Sequence, residues 1–247
     1  MKVNVLDHGF VALRNVSGPT RRIFLDGKDA NDEGEDFRIY DADDTDPANT
    51  ARMSFDQIDS DRSREQDLKL CEYLMKHKHT SPFEMIEVWL EMKMPIFLAR
   101  QFIRHRTASV NEVSGRYITL PAEWYIPEVV GGKAKAAKQG QEDNLSEEEQ
   151  WDFRHLLEHH CRDGYTFYLM QLDAGVAPEH ARLFLSLNHY THWIWKQDLH
   201  NLMHLLSLRV DSHAQIEAQA YATAIIDMLR TVLPNSMELF DKYRRLS

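Results

Sequence analysis

The sequence predicts a single α+β domain: a mixed or antiparallel β-sheet flanked by helices, with a long helical C-terminal half. Three observations predict it. Ile86 to Met94 alternates apolar residues with charged ones and Trp89 over nine positions, the period of a strand with one buried face. Leu68, Cys71, Leu74 and Met75 recur at helical spacing, and the chain beyond Ser146 breaks into successive helical segments with start signals. A chain of 247 residues, 43% hydrophobic, has enough apolar material for one sizeable core.

The elements follow in order. Residues 26–46 hold ten acidic residues against Lys28 and Arg38, with few aliphatics, and read as a solvated surface insertion. Asp46-Pro47 starts a helix, and Asp67 to His77 forms another. After the strand, Pro95 opens a short buried helix over Ile96 to Ile103, which delivers the chain to Arg104. Tyr117 to Leu120 is expected to return as a strand before Pro121, leaving Arg104 to Arg116 as a loop between ordered elements. Residues 131–145 are low in apolar content and read as an exposed loop. Ser146 to Glu149 is a capping box for a long helix through Tyr168. Pro178 starts a helix through Leu185, Tyr190 to Trp195 is an aromatic strand, and Asp198 caps a helix to Leu208. Ser212 with Gln215 is expected to cap the last long helix, which ends before Pro234.

The formal net charge of −10 is concentrated in residues 26–46, which carry −8 of it. The rest is nearly neutral, which disfavours the extended basic face that duplex nucleic acid needs. No apolar run approaches the roughly 20 residues that span a bilayer, and the N-terminus lacks a signal-peptide core. The protein is therefore expected to be intracellular, with no membrane or nucleic-acid partner. Cys71 and Cys161 both fall in helical stretches without ligand-like spacing and read as buried filler rather than nucleophiles.

The densest chemistry lies between Arg104 and Tyr117, where Arg104, His105, Arg106 and Arg116 accompany Glu112, Ser114 and Gly115. Arginine forks suit phosphate and carboxylate oxygens, so the stretch reads as an anion site; a ligand-free ion-pair cluster stays open on residue types alone. A second constellation, Arg209 to Gln215, sits where two helices meet and reads either as an anion contact or as simple capping. His77 with His79, and His200 with His204, have ligand-like spacings but no accompanying carboxylate, so no metal is assigned. Two other readings remain. One is a metal-dependent nucleotide phosphohydrolase, and the other is a nucleotide- or RNA-binding module stacking bases on Tyr190, Trp193 and Trp195.

Arg104-His105-Arg106 followed by Ser114-Gly115-Arg116 resembles the signature of flavin-dependent thymidylate synthase, the thymidylate synthase-complementing protein family. The resemblance extends to residues 73–84, to 95–101, to 208–215 and, at the N-terminal side, to Ala51 through Phe55. It implies reductive methylation of dUMP to dTMP, with 5,10-methylenetetrahydrofolate as carbon donor, FAD as redox carrier and NADPH as reductant, in a homotetramer whose sites lie between subunits. The implied dUMP contacts are Gln101, Phe102, Ile103, Arg104, Glu112, Val113, Ser114, Gly115, Arg116, Arg182 and Arg209. The implied FAD contacts are Ser81, Arg104, His105, Arg106, Glu112, Asp198, Leu199, His200 and His204, with His79 and Ser54 near the flavin. Arg209 is the implied catalytic residue, stabilising negative charge on the uracil as its N3 proton is withdrawn. With no cysteine in a site motif, no covalent enzyme–nucleotide bond is expected, and Ser114 reads as a contact. Two departures stand out: Asp198-Leu199-His200 replaces the Asn-x-Arg often seen there, and Ser186 replaces a proline.

Overall fold

In the computed structural model, which describes residues 1–19, 22–23, 38–39, 42–57, 62–133, 141–142 and 145–245, five strands form the main sheet. They are β1 (Lys2–Val5), β2 (Gly9–Ser17), β3 (Glu87–Pro95), β4 (Ser109–Glu112) and β5 (Tyr190–Asp198), in the order β1-β2-β3-β5-β4. Every neighbouring pair is antiparallel. The alternation over 86–94 is β3, with Val88, Leu90, Met92 and Met94 buried on one face. The aromatic strand runs three residues beyond Trp195, because Lys196, Gln197 and Asp198 continue the register against Trp89, Val88 and Glu87.

The helices are α1 (Asp46–Arg52), α2 (Arg64–Lys76), α3 (Ile96–Phe102), α4 (Glu147–Asp173), α5 (Pro178–Ala181), α6 (Leu199–Arg209), α7 (Ile216–Val232) and α8 (Pro234–Tyr243). Capping boxes at Ser63/Gln66 and Ser146/Glu149 open α2 and α4, and the Asp198 carboxylate accepts from Asn201 N to open α6. The core lies between the sheet and α3, α6, α7 and α8. There Trp195 meets Phe102 edge-on at 5.9 Å, and Leu206, Ile225, Leu229 and Phe240 are fully buried. Burying each such side chain is worth about 1.5–3 kcal/mol.

Among the expected elements, a strand and a helix cap fail. Tyr117 to Leu120 is a turn, with Tyr117 N on Ser114 O, and the returning strand is β4 inside the Arg104–Tyr117 motif itself. Ser212 does not cap α7, whose first residue is Ile216 and whose N-cap, Gln215, makes no side-chain cap bond. Asp211 instead folds the preceding turn, accepting from His213 N at 2.8 Å. The β1–β2 hairpin was not anticipated. A register shift between Leu13 and Asn15 interrupts the period of two that would have announced β2.

Most of the acidic stretch 26–46, and most of 131–145, lies outside the described residues, but the stretch's last residues are not solvated charge. Asp44 is buried and accepts from Asn235 N, Asn235 Nδ2 and Ser236 N at 2.8–3.0 Å, capping α8 across the fold. Asp43 pairs with Arg64 at 2.9 Å. Both cysteines are buried, and burial pushes the Cys71 thiol up to about 12, where no thiolate forms at neutral pH. No described helix is long and apolar enough to cross a membrane.

Candidate functional site

α3 carries the chain back along the sheet, away from the Pro95 end of β3. Ile103 N bonds Ala99 O and His105 N bonds Phe102 O, turning the chain out of the helix so that Arg104 and Arg106 stand in solvent. The next residue, Thr107, has φ of 65°, a left-handed conformation unusual for a β-branched residue. Its hydroxyl donates to Asp198 Oδ2 at 3.2 Å, and Gln197 Nε2 donates to Arg106 O at 2.9 Å. The arginine loop is thereby fastened to the end of β5 and the start of α6.

Arg209, at the far end of α6, reaches the same loop: its Nη2 lies 3.3 Å from His105 Nε2. Arg209 is half-buried, its Nε has no hydrogen-bond partner, and it forms no ion pair among the described residues. Burial lowers its pKa, yet a guanidinium stays charged at neutral pH. Burial first, then Arg209 and His204, depress His105 to about 4, so it is neutral at pH 7. The His204 ring sits edge-on to His105 at 6.3 Å. Gln101, on α3, donates to Gln215 Oε1 at 2.6 Å and so joins the 208–215 segment to this group.

The second half of the motif lies elsewhere. β4 is an edge strand running from Ser109 opposite Lys196 to Glu112 opposite Trp193, and Val113 N continues onto His192 O at 2.8 Å. From Ser109 to Val113 the ladder advances roughly 14 Å. Ser114, Gly115 and Arg116 are therefore carried well away from Arg104, Arg106 and Arg209. Ser114 Oγ accepts from Arg116 N and Nε, both at 3.3 Å. A Cβ at Gly115 would meet Leu120 Cδ1 at 2.9 Å and Arg182 Cδ at 3.7 Å, which places Arg182 beside this loop and explains the glycine. Glu112, between the two halves, accepts from the Thr191 hydroxyl. Next to it, a shallow cavity of about 410 Å3 opens over Arg14, Glu91, Asn111 and His192.

Of the remaining expected contacts, Ser81, His79 and Ser54 are exposed, His79 stacking on Tyr73 at 6.1 Å. Phe102 and Leu199 are fully buried, and the Leu199 N–H is taken by Ile86 O. His200 is partly buried in the first turn of α6, and His204 is exposed one turn further on. Thr107, Gln197 and Thr191, which orient the expected contacts, were missed because their partners are distant in sequence. The stacking-platform reading is overturned: Tyr190, Trp193 and Trp195 are 3%, 3% and 1% exposed. For the phosphohydrolase reading, no group of three or more His, Cys, Asp or Glu among the described residues is placed to hold a metal ion.

With this geometry in hand, comparison with known proteins is informative. Residues 38–235 match the family described as thymidylate synthase complementing protein. A flavin-dependent thymidylate synthase of Rickettsia bellii is 38% identical over 257 residues, covering 98% of this chain and 79% of that protein. One from Thermus thermophilus is 39% identical with the same coverages. Among solved structures, the UMP/dUMP methylase PolB of Streptomyces cacaoi, bound with 5-Br dUMP, aligns with a TM-score of 0.79 at 25% identity, covering 99% of this chain and 100% of that one.

Proposed function

The chain belongs to the thymidylate synthase complementing protein family, and on that premise we propose that it converts dUMP to dTMP, with 5,10-methylenetetrahydrofolate as carbon donor, NADPH as reductant and FAD as cofactor. The observation that carries the reading is Arg209: a half-buried guanidinium facing a neutral histidine, with an unpartnered Nε and no carboxylate in ion-pair range among the described residues. A cation left this way is costly until an anion arrives.

The residues divide the work. Ser114, Gly115, Arg116 and Arg182 form a compact donor group suited to the nucleotide phosphate. Arg209 stabilises the uracil as negative charge develops on withdrawal of the N3 proton; its fixed position avoids reorganisation at that moment. Gln101 and Glu112 supply neutral and acceptor contacts to the nucleotide. The donors at Ser81, Arg104, His105, Arg106, His200 and His204 suit a dinucleotide cofactor, and FAD, when bound, would supply the redox chemistry that carries and reduces the folate-derived carbon, with no covalent bond to the enzyme's buried cysteines.

The phosphate group and Arg209 lie on opposite ends of β4, so one copy of the chain does not close around one nucleotide. A second copy completes the site, consistent with a homotetramer. The outer surface supports this: α4 exposes Trp151, Leu156 and Met170, and Leu183 and Leu187 stand exposed nearby in sequence, at 56%, 68%, 56%, 76% and 65%. We place the enzyme in the cytoplasm on the same family premise.

The test is direct. Protein incubated with FAD and desalted should retain a flavin spectrum that shifts when dUMP is added, and should form dTMP only with methylenetetrahydrofolate and NADPH present. Failure to retain flavin, or dUMP breakdown that stops with a chelator, would overturn the reading in favour of a phosphohydrolase.

A further inference from the structure

The C-terminal helix ends beside the first turn of α6, and its C-cap cation, Arg244, is placed unlike its neighbours. Lys242 donates to Glu72 at 2.6 Å, Arg245 pairs with Asp241 at 3.2 Å, and Arg230 pairs with Asp227 and Asp241. Arg244, among these carboxylates, turns away from all of them. Its Nη2 lies 3.1 Å from His200 Nδ1 and its Nε donates to the Met75 thioether at 3.3 Å. Neither partner carries negative charge, and no carboxylate among the described residues lies within ion-pair distance of this half-buried guanidinium.

The surroundings sharpen the anomaly. The first turn of α6 is the positive end of its helix dipole, a poor place for an unpaired cation and a good one for an anion. Asp198 is occupied there by Asn201 N and Nδ2 and by Thr107, and together with Glu84 it acts on His200 only through space. Burial first, then Arg244, holds His200 below its ordinary pKa. With Nδ1 accepting from Arg244, the neutral imidazole carries its proton on Nε2, so the pair presents donors only. Arg209 and His105 repeat the same arrangement at the other end of α6, about 14 Å away along the helix, with exposed His204 between them.

We propose that Arg244 is a binding residue of the cofactor site, holding with His200 a phosphate oxygen of the flavin dinucleotide's diphosphate. The proposal rests on the functional reading above. A lone phosphate at Arg244 would leave the rest of the donor line along α6 unused, whereas an extended dinucleotide engages it.

The test compares FAD with riboflavin, which lacks phosphate, on the full-length protein and on Arg244→Gln and Arg244→Lys. Arg244→Gln should weaken FAD about 10- to 100-fold, the scale of a lost charge-assisted hydrogen bond, with riboflavin affinity and apo Tm unchanged. Arg244→Lys should recover part of the loss. Unchanged FAD affinity in Arg244→Gln, or equal weakening of FAD and riboflavin with a lowered Tm, overturns the proposal while leaving the functional reading standing. Failure of the wild-type protein to take up FAD overturns both.

Discussion

Two arginines on the same fold contrast sharply. Arg52, where α1, α2 and α8 meet, is 9% exposed and fully matched: its guanidinium donates to Asp67 and to Asn49 Oδ1, and the same junction buries Asp44 as the cap of α8. Arg209, at the end of α6, is only half-buried, yet it faces a neutral imidazole and leaves Nε unpartnered. The first is complete within the chain and behaves as structure. The second is incomplete among the described residues, and the proposed function supplies its missing partner as an anionic ligand. Both arginines fall within segments that resemble the family, so the resemblance alone does not separate their roles; the partner set does.

Three experiments break or sharpen that contrast. The largest effect is expected at Arg209→Ala, which should lower dTMP formation by about 100- to 1000-fold, the range for removing one preorganised donor to a developing anion, with Tm held near wild type. Normal turnover would remove Arg209 from the chemistry. Asp67→Ala should act the other way, costing about 3–5 kcal/mol of stability by stranding Arg52 as a buried charge, while the folded fraction keeps its specific activity. A denaturation midpoint near wild type would show that the junction tolerates an unmatched arginine after all.

The smallest effect concerns His105. Its folded pKa, about 4, lies below the ordinary value of 6.5, so the unfolded chain takes up a proton first as pH falls. The resulting stability is fully present above 6.5 and is lost as pH falls from 6.5 towards 4. Wild-type Tm should therefore drop more steeply across that window than Tm of His105→Gln, in which His189, also depressed to about 4, still contributes equally. Parallel curves would mean that burial and the Arg209 contact do not hold the imidazole neutral.

What was readable in advance was local. Ser146 and Glu149 lie within one turn, whereas the Ser63/Gln66 box that starts α2 three residues before the expected Asp67 went unread. Pro95 opens α3, and the alternation of β3 needs only its own nine residues. β2 and α8 escaped notice because a bulge breaks one pattern and because the cap of α8, Asp44, lies 191 residues before Asn235. In the site, the sequence named Arg209, His105 and His200 but neither their company nor Arg244. That Arg209 meets His105, that Thr107 is fastened to Asp198, and that Arg244 meets His200 are contacts between segments 44 to 104 residues apart.

By itself the sequence determined the fold class, most helix starts and the family, because periodicity, caps and contiguous motifs are short-range and are written in neighbouring residues. Only the tertiary structure decided that one motif is split by β4 into two separated donor groups, and which arginines are matched and which are left open. Those outcomes depend on strand pairing and on burial, and neither the partner across a sheet nor the loss of water around a side chain leaves a mark on adjacent positions in the chain.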